Sequence, residues 1–227
     1  GILFDLIETA TAGRAIHSVL ECGCGTGYLA LEMQRRFGWK VTGLDASSRA
    51  VHMAQGRGLS ELTQGDASIL PFPDNCFDAV ISMDVLVHFP LGGEAAALAE
   101  FYRVLKPGGA LFLRVSALDI LRSRHSEFVE EKQRFTRSGL HKGVSKCGFQ
   151  VDRATYANSL LMPVALFKFR IWEPLMQPQA STGTEPLAPW LNWILGRPLA
   201  LERAILRTGL SFPVGQSLLI AAHKPEI

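Results

Sequence analysis

The 227-residue sequence contains no apolar run long enough to cross a bilayer, which takes about 20 residues; its longest, Leu160 to Phe167, is interrupted by Pro163. No basic-then-apolar signal pattern opens it, and it begins inside an amphipathic helix (Ile2, Leu3, Leu6, Ile7), so residues upstream are expected. Cysteine is scarce. Cys22, Cys24, Cys76 and Cys147 share no repeated spacing, which gives neither a disulfide framework nor a metal site and points to reduced thiols in a cytoplasmic protein. Net charge is nearly absent too: Lys+Arg 23 against Asp+Glu 21 leaves +2. That is too little to neutralise many phosphates, so no nucleic-acid partner is expected. With 48% hydrophobic and 19% charged residues, disordered and fibrous classes are excluded, and the chain is long enough to bury a core unaided.

What is present is an alternation of short apolar strands with helical stretches. His17–Glu21, Lys40–Leu44, Leu62–Gln64, Phe77–Ser82 and Ala110–Val115 read as strands. Between them, Tyr28–Phe37, a helix capped by Ser47 or Ser48, and Glu94–Leu105 read as helices, and Lys106–Gly109 as a turn. A helix capped by Thr136 and two final strands, Phe149–Tyr156 and Ser217–His223, follow. The expected fold is α/β: a doubly wound, seven-stranded, mostly parallel sheet with an antiparallel last strand. The chain is expected to be one domain over residues 1–227, with a helical insert at about 158–215 carrying helices near Val164–Met176 and Pro189–Thr208.

The chemistry concentrates after the first strand, in Glu21-Cys22-Gly23-Cys24-Gly25-Thr26-Gly27. A glycine-rich turn between strand and helix lets a ligand approach the backbone closely. The dinucleotide fingerprint G-x-G-x-x-G fails, because Tyr28 stands at its third glycine. Glu21 also puts a carboxylate where a pyrophosphate would rest, a repulsion of about 1 kcal/mol or more. A cationic ligand is favoured instead, and S-adenosylmethionine, with its ammonium and sulfonium, fits. Asp45 ends the second strand, placed to accept from ribose hydroxyls, and Asp66, after Gly65, to accept from an adenine amino group. Three acids at the ends of three neighbouring strands would line one crevice.

These segments resemble the class I S-adenosylmethionine-dependent methyltransferases of the small-molecule subgroup called methyltransferase type 11. LECGCGTGYLA is similar to the cofactor loop, VTGLDAS to the ribose-binding strand end, and GDASILPFPDNCFDAVISMDVLVHF to the adenine loop and fourth strand. LAEFYRVLKPGGALFLRV resembles the following helix, turn and strand, and FTRSGLHKGVSKCGF with NSLLMP resembles a bacterial branch carrying a similar insert. The resemblance implies that Glu21 holds the methionine ammonium and that Gly23, Gly25 and Gly27 admit the cofactor to the backbone. It further assigns Asp45 with Ala46 to the ribose, Asp66 with Ala67 to the adenine, and Met83 to the methionyl or sugar part. Only twenty residues precede the loop, fewer than is usual in the family, which implies a thinner cover over the cofactor.

Methyl transfer from a sulfonium asks mainly for alignment and dryness, with a base only for a poorly ionised acceptor. His88, after the fourth strand, and His125, after the fifth, are the candidate bases; each has a bland alternative as a loop or surface residue. Tyr156 and Asn158 are candidate acceptor contacts. The expected partner is a small-molecule acceptor methylated at O, N or C, with no metal. A catalytically silent S-adenosylmethionine-binding protein on the same fold is the alternative. The insert's Phe167, Phe169, Trp172, Trp190, Trp193 and Phe212, with Lys168, Arg170, Arg197, Arg203 and Arg207, favour a cap over the acceptor. A peripheral membrane contact and a homodimer surface are the other readings of that composition.

Overall fold

A computed structural model describes residues 1–172, 175 and 189–226. Helix α1 (Ile2–Thr11) leads into β1 (Ser18–Cys22), α2 (Tyr28–Phe37), β2 (Lys40–Asp45), α3 (Ser48–Gly56) and β3 (Leu62–Gln64). Then come β4 (Phe77–Met83), α4 (Glu94–Val104), β5 (Leu105–Ser116), α5 (Arg124–Phe128), α6 (Arg137–Lys146) and β6 (Gln150–Ala157). The insert carries α7 (Met162–Phe167), a π turn (Lys168–Trp172) and α8 (Pro189–Arg207), before β7 (Ser217–His223). The insert thus carries helices near both expected positions, with the first ending in a π turn at Trp172, and Glu173, Pro174 and Met176 of the expected span fall outside the described residues.

The seven strands form one sheet in the order β3-β2-β1-β4-β5-β7-β6. All pairs are parallel except those of β7, which is antiparallel to both β5 and β6. Strand order reverses between β1 and β4, so the carboxyl ends of β1, β2 and β4 open a crevice at the switch point. Central strands covered on both faces must be apolar throughout. Alternate residues of β4 accordingly supply the two cores, Val80 to one side and Ala79 with Ile81 to the other. Helix α4 sends Ala97, Leu98, Phe101 and Val104, one helical face, onto the first of these.

Ends of elements obey local chemistry. Helix α2 closes on Gly38 at φ +69°, whose amide donates to the Gln34 carbonyl, and the Ser47 hydroxyl caps α3 by accepting from Ala50 N. One expectation needs correction: Lys106–Gly109 is not a free turn but a bulge inside β5. The register jumps from Phe77↔Leu105 to Ala79↔Ala110. Gly108 N donates to Lys224 O at 2.8 Å and Lys224 N to Gly109 O at 2.9 Å, so the chain beyond β7 engages the looped-out residues.

Candidate functional site

Two clefts flank the glycine loop and meet at Met83. The first, about 550 Å³, is lined by Gly23, Asp45, Ala46, Asp66, Ala67, Met83, Asp84, Val85, His88 and Lys132 among others. The second, about 500 Å³, is bounded by Glu21, Cys24, Thr26, Met83, Arg114, Asn158 and Ser217, with Ile2 and Leu3 of α1 at its edge. All three expected acids therefore stand at the switch point, two in one cleft and Glu21 in the other.

The loop is fixed by its own backbone. Gly23 N and Cys24 N both donate to Leu44 O, at 2.7 and 3.0 Å, and Gly27 N donates to Cys24 O at 2.8 Å. Gly23, at φ +81°, has no room for a side chain, since a Cβ there would overlap Val85 Cγ2. Gly25, at φ +51°, is different: a Cβ would meet nothing within 4 Å, so this residue leaves open space beside the backbone.

Glu21 is buried, and its Oε2 has no partner in the fold. Burial pushes its carboxyl up from 4.5 to about 8, against a hydrogen bond from the Ala30 backbone and helped by the negative charge of Asp45. A buried acceptor without a donor costs free energy, and an ammonium arriving from the second cleft would relieve it. Asp45 accepts Gly25 N on Oδ2 at 2.8 Å and Ser47 N on Oδ1 at 2.9 Å. A carboxylate offers roughly four acceptor positions, so both oxygens keep capacity for hydroxyl donors. Asp66 accepts Ser68 N and Ser68 Oγ on Oδ1, both at 2.8 Å, and those bonds hold its carboxyl below the usual range. The acceptor set thus suits a ligand with an ammonium, a diol and an exocyclic amine.

His88 lines the first cleft, exposed, with Nδ1 3.5 Å from the Glu130 carbonyl. His125 is exposed on α5 and is not among the lining residues of either cleft. The two candidate bases are not brought together. Asn158, at φ +57° just beyond β6, does reach the second cleft. Tyr156 does not: it is buried, and its hydroxyl accepts Arg137 N at the start of α6 at 3.0 Å. Among the described residues 159–214 none lines either cleft, so the expected cap is not seen there. No group of His, Cys, Asp or Glu that could hold a metal occurs among the described residues.

The sequence reading missed Asp84 and Arg114. Their ion pair spans 3.3 Å between residues of the two clefts, and Asp84 Oδ1 is buried without a partner. Burial raises the Asp84 carboxyl, with Arg114 opposing. A guanidinium closing the apolar stretch ALFL was the available signal.

Residues 19–109 match a family model described as a methyltransferase domain. The sterol 24-C-methyltransferase ERG6A of Gibberella zeae is 43% identical over 99 residues, 40% of this chain and 25% of that protein. The sterol 24-C-methyltransferase of Pneumocystis carinii is 29% identical over 190 residues, 81% of this chain and 46% of that protein. The chain therefore spans between a quarter and a half of the length of these curated relatives. A solved S-adenosylmethionine-dependent methyltransferase of Methanosarcina mazei shares the fold, with a TM-score of 0.63 over 98% of both chains at 21% identity. Residues 19–109 thus resemble a methyltransferase domain, and the chain shares its fold with solved S-adenosylmethionine-dependent methyltransferases.

Proposed function

We propose that the chain transfers a methyl group from S-adenosylmethionine to an O, N or C atom of a small-molecule acceptor. The observation that carries this reading is the buried Glu21 carboxylate, with one oxygen lacking a donor, set beside a glycine loop that Asp45 and Asp66 flank. In this reading Glu21 holds the methionyl ammonium, Gly23, Gly25 and Gly27 admit the cofactor to the backbone, and Met83 contacts it where the clefts meet. Asp45 with Ala46 takes the ribose, and Asp66 with Ala67 the adenine. The bound cofactor supplies a methyl group on an already activated sulfonium.

What the chain's own residues then contribute is position and exclusion of water, worth up to about 7–11 kcal/mol in favourable cases. Asn158, Arg114 and Ser217 are the polar groups disposed to orient an acceptor in the second cleft. For an acceptor that must lose a proton, His88 is the candidate base, since it lines a cleft; His125 is the second. In this reading residues 1–227 lie in one domain, in the cytoplasm, with Asn158 at the start of the insert flanking the acceptor side.

Calorimetry with S-adenosylmethionine, S-adenosylhomocysteine and NADH tests the reading. The first two are expected to bind and NADH not; NADH binding in preference would overturn it. Asp45→Ala is expected to weaken S-adenosylmethionine by about tenfold or more, the value of one or two hydrogen bonds to a charged group. An unchanged affinity would remove the ribose role. Release of S-adenosylhomocysteine with some member of an acceptor panel separates an enzyme from a silent binding protein.

A further inference from the structure

The outward side of α8 is apolar, the reverse of an ordinary surface helix. Trp190, Trp193, Ile194, Arg197 and Leu201 recur at helical spacing and so share one side. Trp190 is 65% exposed, Trp193 62% and Leu201 57%. The opposite side fastens the helix to the fold: Glu202 and Leu206 are buried, and Glu202 Oε2 accepts Ser159 N and Leu160 N at 2.8 and 3.0 Å. The earlier part of the insert repeats the pattern, with Val164, Phe167, Ile171 and Trp172 exposed and Ala165 buried. Elsewhere the exposed large apolar residues, such as Tyr28, Met53, Leu91 and Phe128, are scattered singly through the sequence.

Among the described residues of the insert the exposed charge has one sign. Its described residues expose Lys168, Arg170, Arg197, Arg203 and Arg207 but no carboxylate, because Glu202 is buried. Arg203 pairs with Asp5 of α1, and Arg197 lies over the Trp193 ring at 4.1 Å. Exposed tryptophans mixed with cations suit the boundary between lipid headgroups and acyl chains, where the ring is half wet and the cations meet phosphates. No described helix is long and apolar enough to cross a membrane, so the fitting geometry is a helix lying along the surface. A second copy of the chain is a poorer occupant, since a self-complementary contact would bring these cations together with no exposed carboxylate among the described insert residues to receive them.

We propose that α8 docks on an anionic phospholipid surface through Trp190, Trp193, Ile194 and Leu201, with Arg197 and its neighbouring cations on the headgroups. The inference stands on the insert and needs nothing of the crevice chemistry.

The test is co-sedimentation of the whole chain with vesicles of phosphatidylcholine alone and of equimolar phosphatidylcholine and phosphatidylglycerol. Binding is expected to the anionic vesicles, weakened by salt, and reduced about tenfold or more by W190A with W193A. Arg197→Glu, which removes no apolar residue, should weaken it as well and decides the matter if the tryptophan variant melts early. Absence of binding to anionic vesicles, or binding that neither variant changes, would overturn the proposal. So would a dimer in sedimentation velocity that W190A with W193A converts to monomer, which would give this face to a second copy.

Discussion

Replacing Glu21 with glutamine probes the site through its pH dependence. The side chain is 3% exposed, and burial lifts its carboxyl from 4.5 to about 8. In the folded, ligand-free protein the group therefore keeps its proton across a range in which the unfolded chain has lost it. Between about pH 4.5 and 8 the folded state binds more protons, so its stability falls as pH rises through that window and levels off above it. The climb corresponds to at most about 5 kcal/mol, reduced by whatever water and side-chain relaxation reach the group. Glu21→Gln abolishes this titration. It also leaves an amide facing the position where Oε2 lacks a partner, a cost of about 1–3 kcal/mol that does not vary with pH. The diagnostic is thus the slope: urea unfolding at stepped pH should show the variant gaining on the parent by a few kcal/mol between pH 5 and 8. Parallel curves would refute the buried-acid account. Ligand binding closes the argument, because an ammonium at Glu21 draws the carboxyl back to its ionised form. Uptake of S-adenosylmethionine near pH 7 should release close to one proton, read by calorimetry in buffers of different ionisation enthalpy, and an uptake without release would contradict the ammonium role.

Gly23 and Gly25 should respond differently to alanine. Gly23→Ala faces both a φ of +81° and overlap with Val85, so a loss of about 2–4 kcal/mol is expected on urea unfolding; a loss below about 1 kcal/mol would mean the loop can shift. Gly25→Ala, with free space around the added methyl, should cost only about 1–2 kcal/mol while weakening S-adenosylmethionine in a binding titration, and unchanged binding would deny the backbone approach. Glu202→Ala strips the acceptor from Ser159 N and Leu160 N and should cost about 2–4 kcal/mol; thermal melting that matches the parent would show that water replaces the carboxylate.

Most of the sheet was legible because its strands are short, apolar and separated by glycine or capping serine and threonine. The parallel pairing of the strands around β1 followed from their alternation with helices. The three acids were legible for the same reason: Asp45 and Asp66 of the first cleft and Glu21 of the second each stand at or just beyond the carboxyl end of a strand, which a reading of strand ends can find. The second cleft was less so. Arg114 meets Asp84 because Met83 pairs with Arg114 across β4 and β5, and that register depends on how many residues the Lys106–Gly109 bulge loops out. Tyr156 was assigned to the cleft on position alone. A register shift between Val151 and Arg153 lies upstream of it in β6, and its ring ends on α6 while Asn158, past the strand, turns inward. Bulges change which face a side chain takes, and single-chain periodicity does not reveal them.

The backbone of the glycine loop gives a second, independent reason to reject a diphosphate ligand. Anion-binding loops work by leaving their amides free to point at the ligand. Here the amides of Gly23, Cys24, Gly25 and Gly27 are engaged inside the protein, donating to Leu44 O, to Asp45 Oδ2 and to Cys24 O. These four amides are therefore not turned to a ligand, and they stand next to the carboxylates of Glu21 and Asp45. A ligand that brings its own donors and positive charge satisfies such a surface better than one that brings phosphates. Gly25 and the acids thus make one argument: the glycine leaves open space beside the backbone, and the acids decide which sign of charge is welcome there.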